Sequence, residues 1–203
     1  MDSLAWNERY GAEDFVWTTA PNQFLVREVG PLPAGRALDV ACGEGRNAVW
    51  LAQQGWKSVG VDFSSTGLTK AKRLAESLGI GVEWLVADIR AWQPEPLAFD
   101  LVVLAYVHLP PEERTPMHRS MAAAVAPGGI FFLVAHHLAN LNGGYGGPQD
   151  PKLLVTPDAI IDDLDGLGLE VVRATREHRS VHSNDGDKTA TDALVVLRRP
   201  LEV

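Results

Sequence analysis

The chain has 203 residues, 46% hydrophobic and 22% charged, the balance of one ordinary globular domain over 1–203. Its net charge of −8 speaks against a nucleic-acid partner, and the Arg173, Arg176 and Arg179 group is interleaved with Glu170 and Glu177. A single cysteine excludes an internal disulfide framework, no apolar run nears the roughly 18 residues of a membrane span, and no basic, apolar leader opens the chain; a cytoplasmic protein away from membranes is expected.

Residues 1–30 read as an arm ahead of the first strand. A helical turn is expected at Trp6-Asn7-Glu8-Arg9-Tyr10 and a second helix over 22–29. Tyr10 and Trp17, with Trp6, either cover one end of a sheet or close over a ligand. An aromatic face near a cationic centre gains roughly 0.5–2 kcal/mol.

Residues 35–56 are the stretch around which the rest is organised. A short apolar strand over 37–41 carries one carboxylate, Asp39; Cys42-Gly43-Glu44-Gly45 then turns tightly into a helix over 46–54 that stops at Gly55. Such a loop brings backbone N–H groups and a helix N-terminus close to a ligand, because glycine has no Cβ in the way. Gly43 to Ala48 matches the dinucleotide pattern G-x-G-x-x-A. Asp39 pulls away from that reading: a negative charge on the loop approach disfavours a pyrophosphate and suits an amine or a cationic centre.

The second strand, 57–62, ends in Asp62, placed to accept both hydroxyls of a ribose, with Phe63 beside it to stack on a base. Ser64 or Ser65 caps a helix over 66–78, closed by Gly79. A third strand over 82–87 leads to Asp88-Ile89. Residues 99–105 form a continuous apolar run suited to a central strand. Ligands of open α/β sheets lie at the carboxyl ends of the strands, which puts Tyr106 and His108 beside the site. A helix over 112–126 ends at Pro127-Gly128-Gly129. The strand 130–135 delivers His136-His137 to the same edge. The long connection 138–155, with Tyr145 in it, reads as a substrate lid. Thr156 caps a helix over 157–164, and strands over 169–174 and 193–197 close the chain as an antiparallel hairpin signalled by Asn184-Asp185-Gly186-Asp187. No second mononucleotide-binding half follows, which counts against a dinucleotide site.

The expected fold is therefore α/β: a Rossmann-like, seven-stranded, mostly parallel sheet with a C-terminal antiparallel hairpin and helices on both faces. With Asp39, Gly43, Gly45, Asp62 and Asp88 in place, the chain resembles the class I S-adenosylmethionine (SAM)-dependent methyltransferases over nearly its whole length. Trp6-Asn7-Glu8-Arg9-Tyr10, Cys42 to Asn47 and His178-Arg179 are similar to the tellurite-resistance and thiopurine-type small-molecule branch. Ala41 departs from the pattern, standing where the family has the first glycine of its triplet.

The resemblance implies SAM as cofactor and S-adenosylhomocysteine as product. It puts Asp39, Ala41 and Gly43 along the methionine part, with the backbone at Leu104 and Ala105 facing its amine. Arg46 and Tyr10 are then candidates for its carboxylate, and Trp17 closes the site. Asp62 and Phe63 would hold ribose and adenine, and Asp88 and Ile89 would read the adenine. For a hydroxyl acceptor a base is needed, and histidine has the right ordinary pKa. His136 is the favoured base and His108 the second, while Tyr106, His137 and Tyr145 would contact a small-molecule acceptor. His136 and His137 are successive strand residues, so both should not face one pocket. A soft thiolate or chalcogen acceptor would need no strong base. No tight metal spacing supports a cation at His136, His137 or Asp150, so no metal is expected. A nicotinamide-dependent oxidoreductase and a non-catalytic SAM sensor are the competing readings. The N-terminal aromatics could also pack between subunits of a homodimer.

Overall fold

A computed structural model describes residues 3–11, 15–183 and 186–201. Its centre is one seven-stranded sheet of order β3-β2-β1-β4-β5-β7-β6. The strands are β1 (Arg36–Val40), β2 (Lys57–Asp62), β3 (Glu83–Val86), β4 (Phe99–Ala105), β5 (Val125–His136), β6 (Glu170–Ser183) and β7 (Gly186–Arg198). β1 to β5 are mutually parallel, and β7 runs antiparallel between β5 and β6. The order reverses between β1 and β4, so their carboxyl ends form the crevice where such sheets bind ligands.

Alternation along the central strands divides the core into two layers. Leu38, Val40, Val102, Leu104 and Phe131 face one side, with Met117 and Met121 of α5 (Pro111–Ala123) and Ile160 of α6 (Pro157–Asp163). Ala37, Leu101, Val103 and Phe132 face the other, with Leu25 of α2 (Gln23–Val29) and Leu51 of α3 (Arg46–Gln53). The remaining helices are α1 (Ser3–Tyr10) and α4 (Ser65–Ser77).

Several boundaries differ from those expected from the sequence. The helix expected over 112–126 ends at Ala123, because the carbonyls of Ala123 and Ala124 accept from Leu97 and Phe99 N–H and Val125 already pairs with Phe99. The glycines at 128 and 129 lie inside β5, where the register with β4 shifts. β6 and β7 also run far beyond 169–174 and 193–197. Their outer halves are polar on both faces, so the apolar pattern stops while the hydrogen-bonded ladder continues from Glu170↔Arg198 to Ser183↔Gly186. Of the expected hairpin signal, residues 184 and 185 lie outside the described residues.

Candidate active site

The loop from β1 to α3 is shaped by three left-handed residues, Ala41 (φ 53°), Gly43 (φ 55°) and Gly45 (φ 79°). Glycine is required at the last two. A Cβ on Gly43 would stand 2.6 Å from the Tyr10 hydroxyl, and one on Gly45 would stand 2.6 Å from both Ala71 and Trp84. Ala41 adopts the same handedness with a side chain, a conformation that costs roughly 1–2 kcal/mol.

Two carboxylates brace the loop. Asp39 Oδ2 accepts the Ala48 amide at 3.0 Å, and burial pushes its carboxyl up to about 7. Asp62 accepts the Gly43 amide at 2.8 Å on one oxygen and the Ser64 amide at 2.8 Å on the other. Burial raises its pKa, and those amides oppose the rise. A carboxylate offers about four lone-pair positions, so both acids retain acceptor capacity. Arg46, in the first turn of α3, is half-buried, and desolvation lowers its pKa. No ion pair or hydrogen bond among the described residues holds it.

Beside this loop lies a cavity of about 340 Å³ lined by Ser3, Phe63, Val86, Ala87, Asp88 and Arg90. Asp88 is engaged by Arg90 through contacts of 2.6 and 3.0 Å, and that guanidinium holds its carboxyl below the usual range. The Ile89 side chain packs into the core rather than lining the cavity, which leaves its backbone as the part available to a ligand. Leu104 is buried at the end of β4, with Ala105 next to it.

The arm is docked on the loop. Asn7 Oδ1 accepts from Ser64 Oγ at 2.7 Å and from the Thr66 amide at 3.2 Å. Trp6 stacks on Tyr10, and the Arg9 guanidinium lies between the Trp6 and Trp17 rings. Tyr10 is buried, and burial holds its phenol above the ordinary range. Glu44, to which the sequence reading gave no role, is the fastening. Its carboxylate accepts from the Val16 amide at 3.0 Å and the Trp17 amide at 3.1 Å, and pairs with Lys70 at 3.1 Å.

At the ends of β4 and β5 the second half of the site assembles. Tyr106 is left-handed (φ 60°), a strained conformation for a bulky residue of the kind that concentrates at functional sites. Its hydroxyl donates to Asp192 Oδ2 at 3.0 Å and lies 3.4 Å from Asn22 Nδ2. Its ring packs against His136, centroids 4.9 Å apart. His136 Nδ1 and His108 Nε2 are 3.1 Å apart, so one ring donates and the other accepts. Burial, with His136 adjacent, pushes His108 down to about 3, and burial lowers His136 too; both are neutral at pH 7.

The other two expected acceptor contacts are placed differently. His137 Nδ1 accepts the Ala139 amide at 2.9 Å, and its electrostatic neighbours are Arg176 and His178, so it does not join the pair. Tyr145 is exposed on the connection 138–155. That connection is tied down rather than loose. Its ends meet in a bridge between His137 and Val155. Asn140 bonds the Gly146 carbonyl and the Thr191 amide, both at 2.8 Å. Gly147 lies so close over the His136 ring that a Cβ would approach it to 2.6 Å. No group of three or more metal-ligating side chains occurs among the described residues.

A sheet of this order, with a glycine loop after β1 and buried acids at the ends of β1 and β2, is Rossmann-like, with its crevice at the carboxyl ends of β1 and β4. The methyltransferase domain family matches residues 37–129. A ubiquinone biosynthesis O-methyltransferase from Methylobacterium sp. (strain 4-46) is 31% identical over 72% of this chain and 65% of its own length. Thiocyanate methyltransferase 1 of Brassica oleracea is 28% identical over 76% of this chain and 67% of its own. Among solved structures, a SAM-dependent methyltransferase from Methanosarcina mazei superposes with a TM-score of 0.68 at 17% identity, covering 90% of this chain and all of that one, a likeness of fold. Residues 37–129 thus match the methyltransferase domain family, and the chain shares the fold of a SAM-dependent methyltransferase. It spans less than two thirds of the first of these curated relatives.

Proposed function

We propose that this protein transfers the methyl group of SAM to a hydroxyl of a small-molecule acceptor, with His136 as general base. The observation that carries the reading is the neutral His108–His136 pair, set at the carboxyl ends of β4 and β5. The residues around the glycine loop fit the cofactor: a left-handed cradle, an unpaired, half-buried arginine, two buried acids with lone pairs to spare, and a cavity between Phe63 and Asp88.

In this reading Asp39 and the Leu104 and Ala105 backbone face the amine, and Arg46 and Tyr10 the carboxylate. Gly43, beside Ala41, lets the methionine part lie close, and Trp17 helps cover it. Asp62 holds the ribose, while Phe63, Asp88 and the Ile89 backbone hold the adenine. SAM supplies a methyl group activated by its sulfonium. The protein supplies alignment, which in favourable cases contributes roughly 7–11 kcal/mol of barrier reduction. His136 takes the hydroxyl proton, a role usually worth about 10²- to 10⁴-fold. Its lowered pKa keeps the ring in the neutral, proton-accepting form at pH 7. The similarity to a thiocyanate methyltransferase supports a second reading, a soft anionic acceptor that needs no base.

A thermal-shift titration with SAM, S-adenosylhomocysteine and NADH on wild type and Asp62→Ala tests this. Both adenosyl ligands should stabilise the wild type, by about 2.7 kcal/mol at a hundredfold excess over Kd, and the variant less. A response to NADH alone would overturn the assignment. With a hydroxyl acceptor, His136→Gln should lower turnover by about 10²-fold or more; an unchanged rate would favour the soft-anion reading.

A further inference from the structure

His136 and Asp192 stand opposite each other in the β5–β7 ladder. Paired antiparallel residues share a face, with Cβ atoms about 4.5–5.5 Å apart. Asp192 is fully buried. One of its oxygens, Oδ2, receives the Tyr106 hydroxyl at 3.0 Å and Arg179 Nε at 2.9 Å. The other, Oδ1, is buried without a hydrogen-bond partner among the described residues. A carboxylate kept only to hold the fold would have both oxygens satisfied, because a buried acceptor without a donor is costly.

The geometry points to Asp192 as the positioning residue of His136: its unpartnered oxygen is a counter-charge already in place for the imidazolium that forms when the acceptor loses its proton. The inference rests on the general-base reading above. In that step the acceptor's O–H bond breaks and the proton joins a ring nitrogen of His136. The oxygen's electron pair forms the new bond to the methyl carbon as the carbon–sulfur bond breaks. Nothing further is oxidised or reduced, and the proton leaves to solvent.

The groups around His136 fit this assignment. His108, after β4, is itself neutral and already engaged at Nδ1 of His136, so it cannot offset a charge. Tyr106 presents its ring, and Gly147 covers the imidazole with backbone. The two charged neighbours act in opposite directions: Asp192 favours the protonated ring, and Arg179 from β6 disfavours it. Burial is the larger influence and keeps the resting ring neutral. Asp192 therefore matters most after proton transfer, as the carboxylate of a Ser-His-Asp triad does.

The test is an NMR titration of His136 in the full chain without cofactor or acceptor, its signal assigned by loss in His136→Gln. Asp192→Asn should move the midpoint down by about one pH unit or more, the usual effect of removing a nearby opposite charge. Arg179→Gln should move it up, and Asp192→Glu should return it toward wild type. Midpoints unmoved in both Asp192→Asn and Arg179→Gln would overturn the inference. If Asp192→Asn fails to fold, the direction of Arg179→Gln decides alone. No methyl donor is present, so the result stands apart from the methyltransferase reading, which fails separately if SAM gives no thermal shift. With a hydroxyl acceptor, the acid limb of the kcat profile should follow the same ordering.

Discussion

Asp39 is the residue whose environment makes the sharpest demand on a ligand. In the folded chain its pKa is raised to about 7, against roughly 3.9 for a free aspartate. Between those values the folded chain holds a proton that the unfolded chain has lost. The contribution of Asp39 to stability is therefore full below about pH 4 and falls as pH rises toward 7. An ammonium placed against the ionised carboxylate offsets that loss. SAM should accordingly stabilise the protein more at pH 8 than at pH 6, read as the difference between two thermal-shift titrations. Equal shifts at both values would remove Asp39 from the amine contact. Asp39 was legible in the sequence because it sits in a short strand one turn before the glycines, and local spacing places it. Glu44 was not, because Val16, Trp17 and Lys70 lie 26 to 28 residues away and only folding brings them together. Tyr106 was legible as a neighbour of the site, but its left-handed backbone and its hydrogen bond to Asp192 leave no mark in a strand-end pattern.

At the scale of elements, the strands and helices that alternate in hydrophobicity were readable to within a few residues, and the polar extension of β6 and β7 was not. There the hydrogen-bonded ladder, not apolar burial, carries the structure. The arm shows the same limit: its aromatics left open whether they cover the sheet end or a ligand, and the Glu44 fastening emerges only from the fold. Glu44→Ala removes two amide acceptors and the partner of Lys70 at once. The expected result is faster limited proteolysis of the arm, with the melting of the sheet shifted far less. An arm as resistant as in wild type would show that Asn7 and the stacked aromatics suffice. The connection 138–155, expected to be a substrate lid, is tied to β7 through Asn140 and closed on itself by the His137–Val155 bridge.

At the scale of the whole molecule, α5 and α6 are held to each other by a buried ionic cluster. Asp163 of α6 receives Arg114 at 2.7 Å and sits 2.9 Å from His118 Nδ1, both on α5. Those donors hold the carboxyl well below the usual range against the opposing effect of burial. Its stabilising contribution is thus present above the unfolded pKa near 4 and is lost as pH falls below it. Asp163→Asn should cost about 3–5 kcal/mol in urea unfolding at pH 7, because Arg114 is left buried and uncompensated. A loss under 1 kcal/mol would show that the helices hold without the cluster. The paired ends of β1 and β4 bear on a different property, the chain's tolerance of change. Ala41 and Tyr106 together place roughly 2–4 kcal/mol of left-handed backbone at the crevice. Domains of this kind keep a net stability of about 5–15 kcal/mol. Fewer neutral substitutions are then open to the rest of the chain than its well-packed core suggests, and Ala41→Gly would widen the range.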